Sequence, residues 1–195
     1  LAAVSNGALT NATGSASQVG GTTFSTTTNA AGAAGVMTGA SNMLFGGGKA
    51  VFETRFSFSN DPSTAEAYAA YLGFIDSISA APTDGCYLVV DASSNAKRVR
   101  FIVSAASSTT ATDVSTYFTA ATESVIRIEV NPAGTEARLY QNDILIATIG
   151  VATNIPVTAG QEFGMGCSII KSNGTTARTI TARYLKFYKD KTTQG

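Results

Sequence analysis

The stretch Val125–Ile149 reads VIRIEVNPAGTEARLYQNDILIATI. Val125–Val130 alternates apolar and charged side chains, the period-two signature of a strand with one buried face. Asn131-Pro132-Ala133-Gly134 then reads as a turn, with proline presetting φ and Gly134 supplying a positive φ. Glu136–Tyr140 is the return strand, Gln141-Asn142-Asp143 a second tight turn, and Ile144–Ile149 a third strand. Three strands joined by short turns make an antiparallel meander.

The same period runs outward through the chain. Phe52, Phe56 and Phe58 alternate with polar residues, as do Val99, Phe101 and Val103, and Phe163, Met165, Cys167 and Ile169. In Thr179–Tyr188 the apolar positions change parity, from Ile180, Ala182 and Tyr184 to Leu185 and Phe187. An extra residue in a β-bulge produces such a slip. Only Pro62–Ala70, opened by Asn60-Asp61, reads as a short helix or helical turn. Strands at this spacing with almost no helix predict an all-β, antiparallel two-sheet β-sandwich. The expected layout is an N-terminal arm or linker over 1–20, the sandwich over 21–190 and a C-terminal tail over 191–195. The Thr/Ala/Ser-rich stretches 11–35 and 105–116 read as linkers or as extended arms that pair with a neighbour. No internal repeat is visible.

Of 195 residues 44% are hydrophobic and only 13% charged, with 13 Lys+Arg against 13 Asp+Glu. A zero formal charge without a basic run argues against nucleic acid or an anionic membrane as the main partner. No apolar run reaches 18 residues, the length a membrane helix needs. Leu1-Ala2-Ala3-Val4 has neither the basic flank nor the apolar core of a signal peptide, and a start without Met suggests processing or truncation. A neutral surface this poor in charge resists aggregation weakly when alone, which points to life as an oligomer inside an assembly. Cys86 and Cys167 each fall in an apolar strand pattern and read as free buried thiols, a disulfide being the alternative.

At the meander the sequence begins to resemble a known group. Ala137–Thr148 resembles the F/Y-x-N-G-x-x-V-A-T hairpin of concanavalin A-like (laminin-G-like) jelly rolls, with Asp143 where that hairpin usually has Gly. Phe52-Glu53-Thr54-Arg55 resembles their F-E-x-R strand, Asp84-Gly85-Cys86-Tyr87 their D-G-x-Y strand start, and Asn154-Ile155-Pro156 their closing segment. The Ala/Thr-rich loops make the chain similar to the jelly-roll domains of bacteriophage virion surface proteins. That resemblance implies a non-enzymatic virion protein, a capsid decoration (cement) or a head-fibre or tail-fibre module. Its partners would be other virion proteins, and its location the virion. A carbohydrate-binding, lectin-like module for host attachment is the alternative, with a polysaccharide hydrolase behind it.

The chemistry-bearing residues are few. The absence of His removes Ser-His and Cys-His nucleophiles and His-ligated metals. Glycosidases of this fold use paired acids on one strand; here the acids stand singly, and Asp84 and Asp91 fall at opposite ends of one strand. No catalytic residue is assigned. Calcium would need Asp76, Asp84, Asp91 and Asp143 to converge, which their spacing does not require, so no cofactor is expected. Sugar binding uses aromatics with amides and acids, and Tyr68, Tyr71, Tyr87, Tyr117 and Tyr140 are available. Tyr140, Asn142 and Asp143 form the best local group; the plainer alternative is that Tyr140 covers the sheet and Asn142-Asp143 makes the turn. The basic run Arg183, Lys186, Lys189 and Lys191 reads as a solvated strand face. The sequons at Asn11 and Asn173 matter only in a secretory pathway.

Overall fold

The computed structural model describes residues 2–5, 7–12, 20–39, 43–93 and 96–190. Their strands are β1 (Ala2–Ser5), β2 (Ala8–Ala12), β3 (Gly21–Ser25), β4 (Ala33–Met37), β5 (Ala50–Phe58), β6 (Tyr68–Ile75) and β7 (Gly85–Ser93). They continue as β8 (Ala96–Ala105), β9 (Ser108–Asp113), β10 (Ser124–Val130), β11 (Ala137–Gln141), β12 (Ile144–Ile149), β13 (Gly164–Lys171) and β14 (Thr179–Lys189). Two sheets result, one ordered β1-β4-β13-β6-β7-β8-β9 and the other β12-β11-β10-β5-β14-β3-β2. The chain crosses between them at β1–β2, β3–β4, β4–β5, β5–β6, β9–β10, β12–β13 and β13–β14, which makes the two-sheet, antiparallel jelly-roll sandwich expected.

Alternation fills the space between the sheets. Phe52, Phe56 and Phe58 of β5 point inward, opposed by Leu72 and Phe74 of β6, Phe101 of β8 and Ile169 of β13. Phe74 stands at the centre, its ring edge-on to Phe45 (5.0 Å), Phe163 (5.6 Å) and Phe187 (6.0 Å). Edge-to-face pairs add to the apolar burial that drives the sheets together. Cys86 and Cys167 are buried, free thiols in this core, and burial pushes both well above the ordinary thiol pKa. They behave as small apolar side chains.

The meander forms as read. Gly134 takes φ 69°, and Asn142 (φ 48°) and Asp143 (φ 66°) make a two-residue turn with both φ positive, the type I′ hairpin. The parity change in β14 is a bulge: Ala182 pairs with Phe56 but Tyr184 with Arg55, leaving Arg183 as the extra residue. That slip lets Ile180 and Ala182, then Leu185 and Phe187, all face the core.

Three expectations change. Pro62–Ala70 is not helical: Ser63 Oγ accepts the Glu66 amide (3.2 Å), the single turn stops, and β6 starts at Tyr68. The alternating Tyr68, Ala70, Leu72 and Phe74 bury more apolar surface as a strand than one helical turn would. The stretches 11–35 and 105–116 contain β3, β4 and β9, pairing inside the chain's own sheets. Of these only β9, mostly Ser, Thr and Ala, is an edge strand with little to bury, whereas β3 and β4 are paired on both sides. Within 1–20, β1 pairs with β4 and β2 with β3 at the sheet edges. Residues 191–195, with Lys191, and Thr13 of the first sequon lie outside the described residues.

The β8–β9 hairpin turns on Ala106 (φ 48°) and Ser107 (φ 66°), residues that gain nothing from a left-handed backbone. Tertiary contacts hold them: the Ala106 amide donates to Asp84 Oδ1 (2.7 Å) and the Ser107 amide to the Thr83 carbonyl (3.1 Å). Asp84 is 7% exposed. Replacing Asp84 by Ala is expected to cost about 1–3 kcal/mol and to raise amide exchange in 105–109; urea unfolding and hydrogen exchange check both.

Candidate functional site

The outward residues of β6, β7, β8 and β13 are set by the same alternation that builds the core. Ser168, Tyr71, Val89, Arg100 and Asp113 stand side by side in one row across five strands. Asp91 pairs with Arg98 one row along. The β6–β7 connection, residues 76–84, folds back over part of this face. Ile78 packs on it above Gly35, where an added Cβ would lie 3.0 Å from the Ile78 Cβ and 2.7 Å from the Ser168 Cβ. Tyr87 is buried beneath, donating its hydroxyl to the Pro82 carbonyl (3.1 Å).

Beside this covered part runs a groove of about 260 Å³, lined by Ala67, Tyr68, Ala69, Tyr71, Ala81, Asp91, Ala92, Ile170 and Ser172. Asp91 is its one charged lining residue. Arg98 grips that carboxylate with Nε and Nη2 (2.9 Å each), and Arg100 Nη2 adds a third bond at 2.6 Å. Such a fork holds the carboxylate in one orientation, and the Asp91 bond raises the Arg98 pKa above its ordinary value. At the end of the row, the Ser115 amide and then its hydroxyl, with Arg98 and Arg100 beyond, hold Asp113 below the usual carboxylate range. The Tyr71 ring meets Tyr87 edge-on at 5.9 Å, and its hydroxyl has no hydrogen-bond partner among the described residues. Burial first, and Asp91 second, raise its pKa, so the hydroxyl stays protonated and able to donate. The groove therefore offers apolar walls, a free hydroxyl and one held carboxylate. It has no second lining acid to form the pair that glycoside hydrolysis uses.

The residues expected from the sequence stand on the other sheet. Arg127 lies over the Tyr140 ring, 4.4 Å from its centroid, and bonds Asp143 Oδ1 at 2.6 Å. Asn142 Oδ1 accepts the Val125 amide (3.0 Å) while its own amide donates to the Val125 carbonyl. Tyr140 and Asp143 thus meet through Arg127, and Asn142 works in the turn. Of the other tyrosines, Tyr68 and Tyr87 are buried and Tyr117 is 48% exposed. The four aspartates weighed for calcium do not come together. Thr83 Oγ1 lies 2.6 Å from Asp76 and 3.1 Å from Asp84, its single proton shared between them, whereas Asp91 and Asp143 belong to different sheets. In the basic run Arg183 bonds Glu123 (2.6 Å), Lys186 faces Glu53 (3.9 Å) and Lys189 donates to the Leu44 carbonyl. Sequence reasoning missed Arg98 and Arg100. Their same-face spacing with Tyr87, Val89 and Asp91 across a hairpin was the available signal.

Residues 15–182 match the family model described as SO2946-like, C-terminal domain. The chain belongs to that family. Among solved structures it is similar to the SO2946 protein of unknown function from Shewanella oneidensis MR-1. There the identity is 14%, the TM-score 0.67, and 100% of this chain and 80% of that one are covered. It is similar also to the Emp47p carbohydrate recognition domain (12% identity, TM-score 0.58, 94% and 88% covered). A third is the carbohydrate-binding module CBM66 from Bacillus subtilis (14%, 0.54, 95% and 94%). A family 7 alginate lyase, A1-II′, aligns at 12% identity and TM-score 0.54 over 87% of this chain and 80% of that one. At these identities the likeness is one of fold, the concanavalin A-like jelly roll. No curated protein matches the sequence.

One wall of the groove, in this SO2946-like domain, is pinned from outside. Glu66 accepts the Thr176 hydroxyl (2.8 Å) and amide (3.1 Å) and the Thr175 amide (3.3 Å), tying 173–176 to the segment before β6. The Thr176 bonds first, then Thr175 and Arg178, hold the Glu66 carboxyl below its ordinary value of 4.5. A depressed folded-state pKa contributes stability above 4.5 that is lost as pH falls through the folded value. Thermal melts at stepped pH are expected to show wild type losing stability below pH 4.5 more steeply than Glu66→Gln.

Proposed function

We propose that this domain is a non-catalytic carbohydrate-binding module whose ligand lies in the groove between Tyr71 and Asp91. The observation that carries the reading is the pairing of a free Tyr71 hydroxyl with a clamped Asp91 carboxylate between apolar walls. Sugars present both hydroxyls and C–H faces, and a few oriented polar groups in an apolar cleft are what small-ligand sites use. The kinship in fold with a carbohydrate-binding module and a carbohydrate recognition domain supports it. The lyase neighbours share the same sandwich, but in this groove Asp91 is held by two arginines and no second acid lines the cleft. Tyr71→Phe removes the hydroxyl alone and is expected to weaken glycan binding about 2- to 10-fold, measured by titration calorimetry. Sugar-release assays on the same polysaccharides are expected to stay silent.

A second reading has an observation of its own. As a phage virion surface module, the chain would act by contact with other virion proteins. Ile144 (68% exposed) and Leu145 (48%) begin the edge strand β12, which carries no charged residue, and Gln141 holds the Tyr117 carbonyl nearby (2.5 Å). Unblunted apolar edges invite pairing with another chain. On this reading the purified protein sediments as an oligomer or with virions, and Ile144→Lys lowers that association; a monomer indifferent to virions counts against it.

A further inference from the structure

The carbohydrate-binding reading leaves open which chemical class of glycan the groove accepts, and its charge pattern decides between two. We infer that the groove takes a neutral, hydroxyl-rich glycan and not a polyanionic one; the inference rests on the carbohydrate-binding reading above. Asp91 is the one charged residue lining the groove, and it is an anion. Ala67, Ala81 and Ala92 line the rim, and no Lys or Arg stands among the lining residues to receive a carboxylate or sulfate. Arg98 and Arg100, beside the groove, direct three bonds at Asp91 instead of into it, and Asp113 closes the row beside Arg100. Within the Asp91, Arg98, Arg100 and Asp113 set, two cations stand against two anions, so the set adds no net charge to attract a polyanion. A uronate or sulfate in the groove would set its charge close to Asp91 in a partly desolvated cleft, where like charges repel more strongly than in water.

Neutral hydroxyls fit what is left. A carboxylate offers about four lone-pair sites, of which the arginines take three, so Asp91 can accept one sugar hydroxyl. The Tyr71 hydroxyl can donate and accept, and the exposed Ser172 hydroxyl stands on the opposite wall. Ile170 and Ala69 supply apolar surface for the C–H face of a ring.

The test titrates the full chain with neutral hexose oligomers, uronate oligomers and sulfated oligomers at low salt, for wild type, Tyr71→Phe, Asp91→Asn and Ala81→Lys. Neutral oligomers are expected to bind at least about tenfold tighter than either acidic class. Tyr71→Phe should weaken that binding, and Ala81→Lys should raise affinity for uronate oligomers in a salt-dependent way. Tighter binding of an acidic class, weakened by Tyr71→Phe, would overturn the inference while leaving the carbohydrate-binding reading intact. Binding of any class unchanged by both Tyr71→Phe and Asp91→Asn would place the ligand elsewhere and overturn the inference. No binding by any oligomer ends the carbohydrate reading, and the inference falls with it.

Discussion

Thr83 ties the β6–β7 connection to the β8–β9 hairpin. Its amide and hydroxyl both donate to Asp76 (3.0 and 2.6 Å), which closes the β6–β7 connection on itself. Its carbonyl accepts the Ser107 amide and the Ser104 hydroxyl (3.1 and 2.6 Å), and the next residue, Asp84, accepts the Ala106 amide. One short segment therefore folds a loop over the outer face of a sheet and fixes the β8–β9 turn at that sheet's edge. The groove depends on it twice, because Ala81 of that loop forms a wall and β8 carries the arginines that orient Asp91.

This arrangement explains which parts of the fold were legible in the sequence. The meander was, because its turns rest on local chemistry. Asn131 Oδ1 accepts the Thr135 amide (2.8 Å) and Gly134 takes a positive φ, while Asn142-Asp143 suits a type I′ turn even without glycine. The bulge in β14 was legible because a parity change has one economical cause. The Ala106-Ser107 turn was not, since its stability comes from Thr83 and Asp84, more than twenty positions upstream. The Thr-rich strand β9 was hidden for a related reason: an edge strand with little to bury loses the apolar alternation that announces a strand. In Pro62–Ala70 a genuine local turn at Ser63 was extended too far, into residues that β6 needs for the core.

The candidate site was legible only in pieces. Tyr140, Asn142 and Asp143 drew attention because they are neighbours in sequence, and the structure joins two of them through Arg127. The groove is assembled from β6, β7, β13 and the segments beside them, so its members reach from Ala67 to Ser172 and come together only in the folded sheet. Reading both faces of each strand pattern, and not the apolar face alone, is what exposes the Asp91–Arg98–Arg100 set. The pairing partners of an outward charge are then a matter of register, which a hairpin fixes once its turn is known.

Charge is sparse here, and much of it is compensated at short range. Arg127 serves Glu129 and Asp143, Lys49 serves Glu129, Arg183 serves Glu123, and Asp91 takes two arginines. Exposed pairs of this kind contribute little to stability; their effect is to leave no strong field over either sheet. A jelly roll binds or reacts according to what its outward strand residues present, since the sandwich is shared among proteins at 12–14% identity that carry binding and lyase names alike. In this chain those positions on β6–β8 present one acid, locked by a fork of arginines, and one free phenol. A locked acid is poorly placed to shuttle protons but well placed to orient a hydroxyl, because its lone pairs point in fixed directions. That rigidity fixes the directions in which this face offers a hydrogen-bond acceptor.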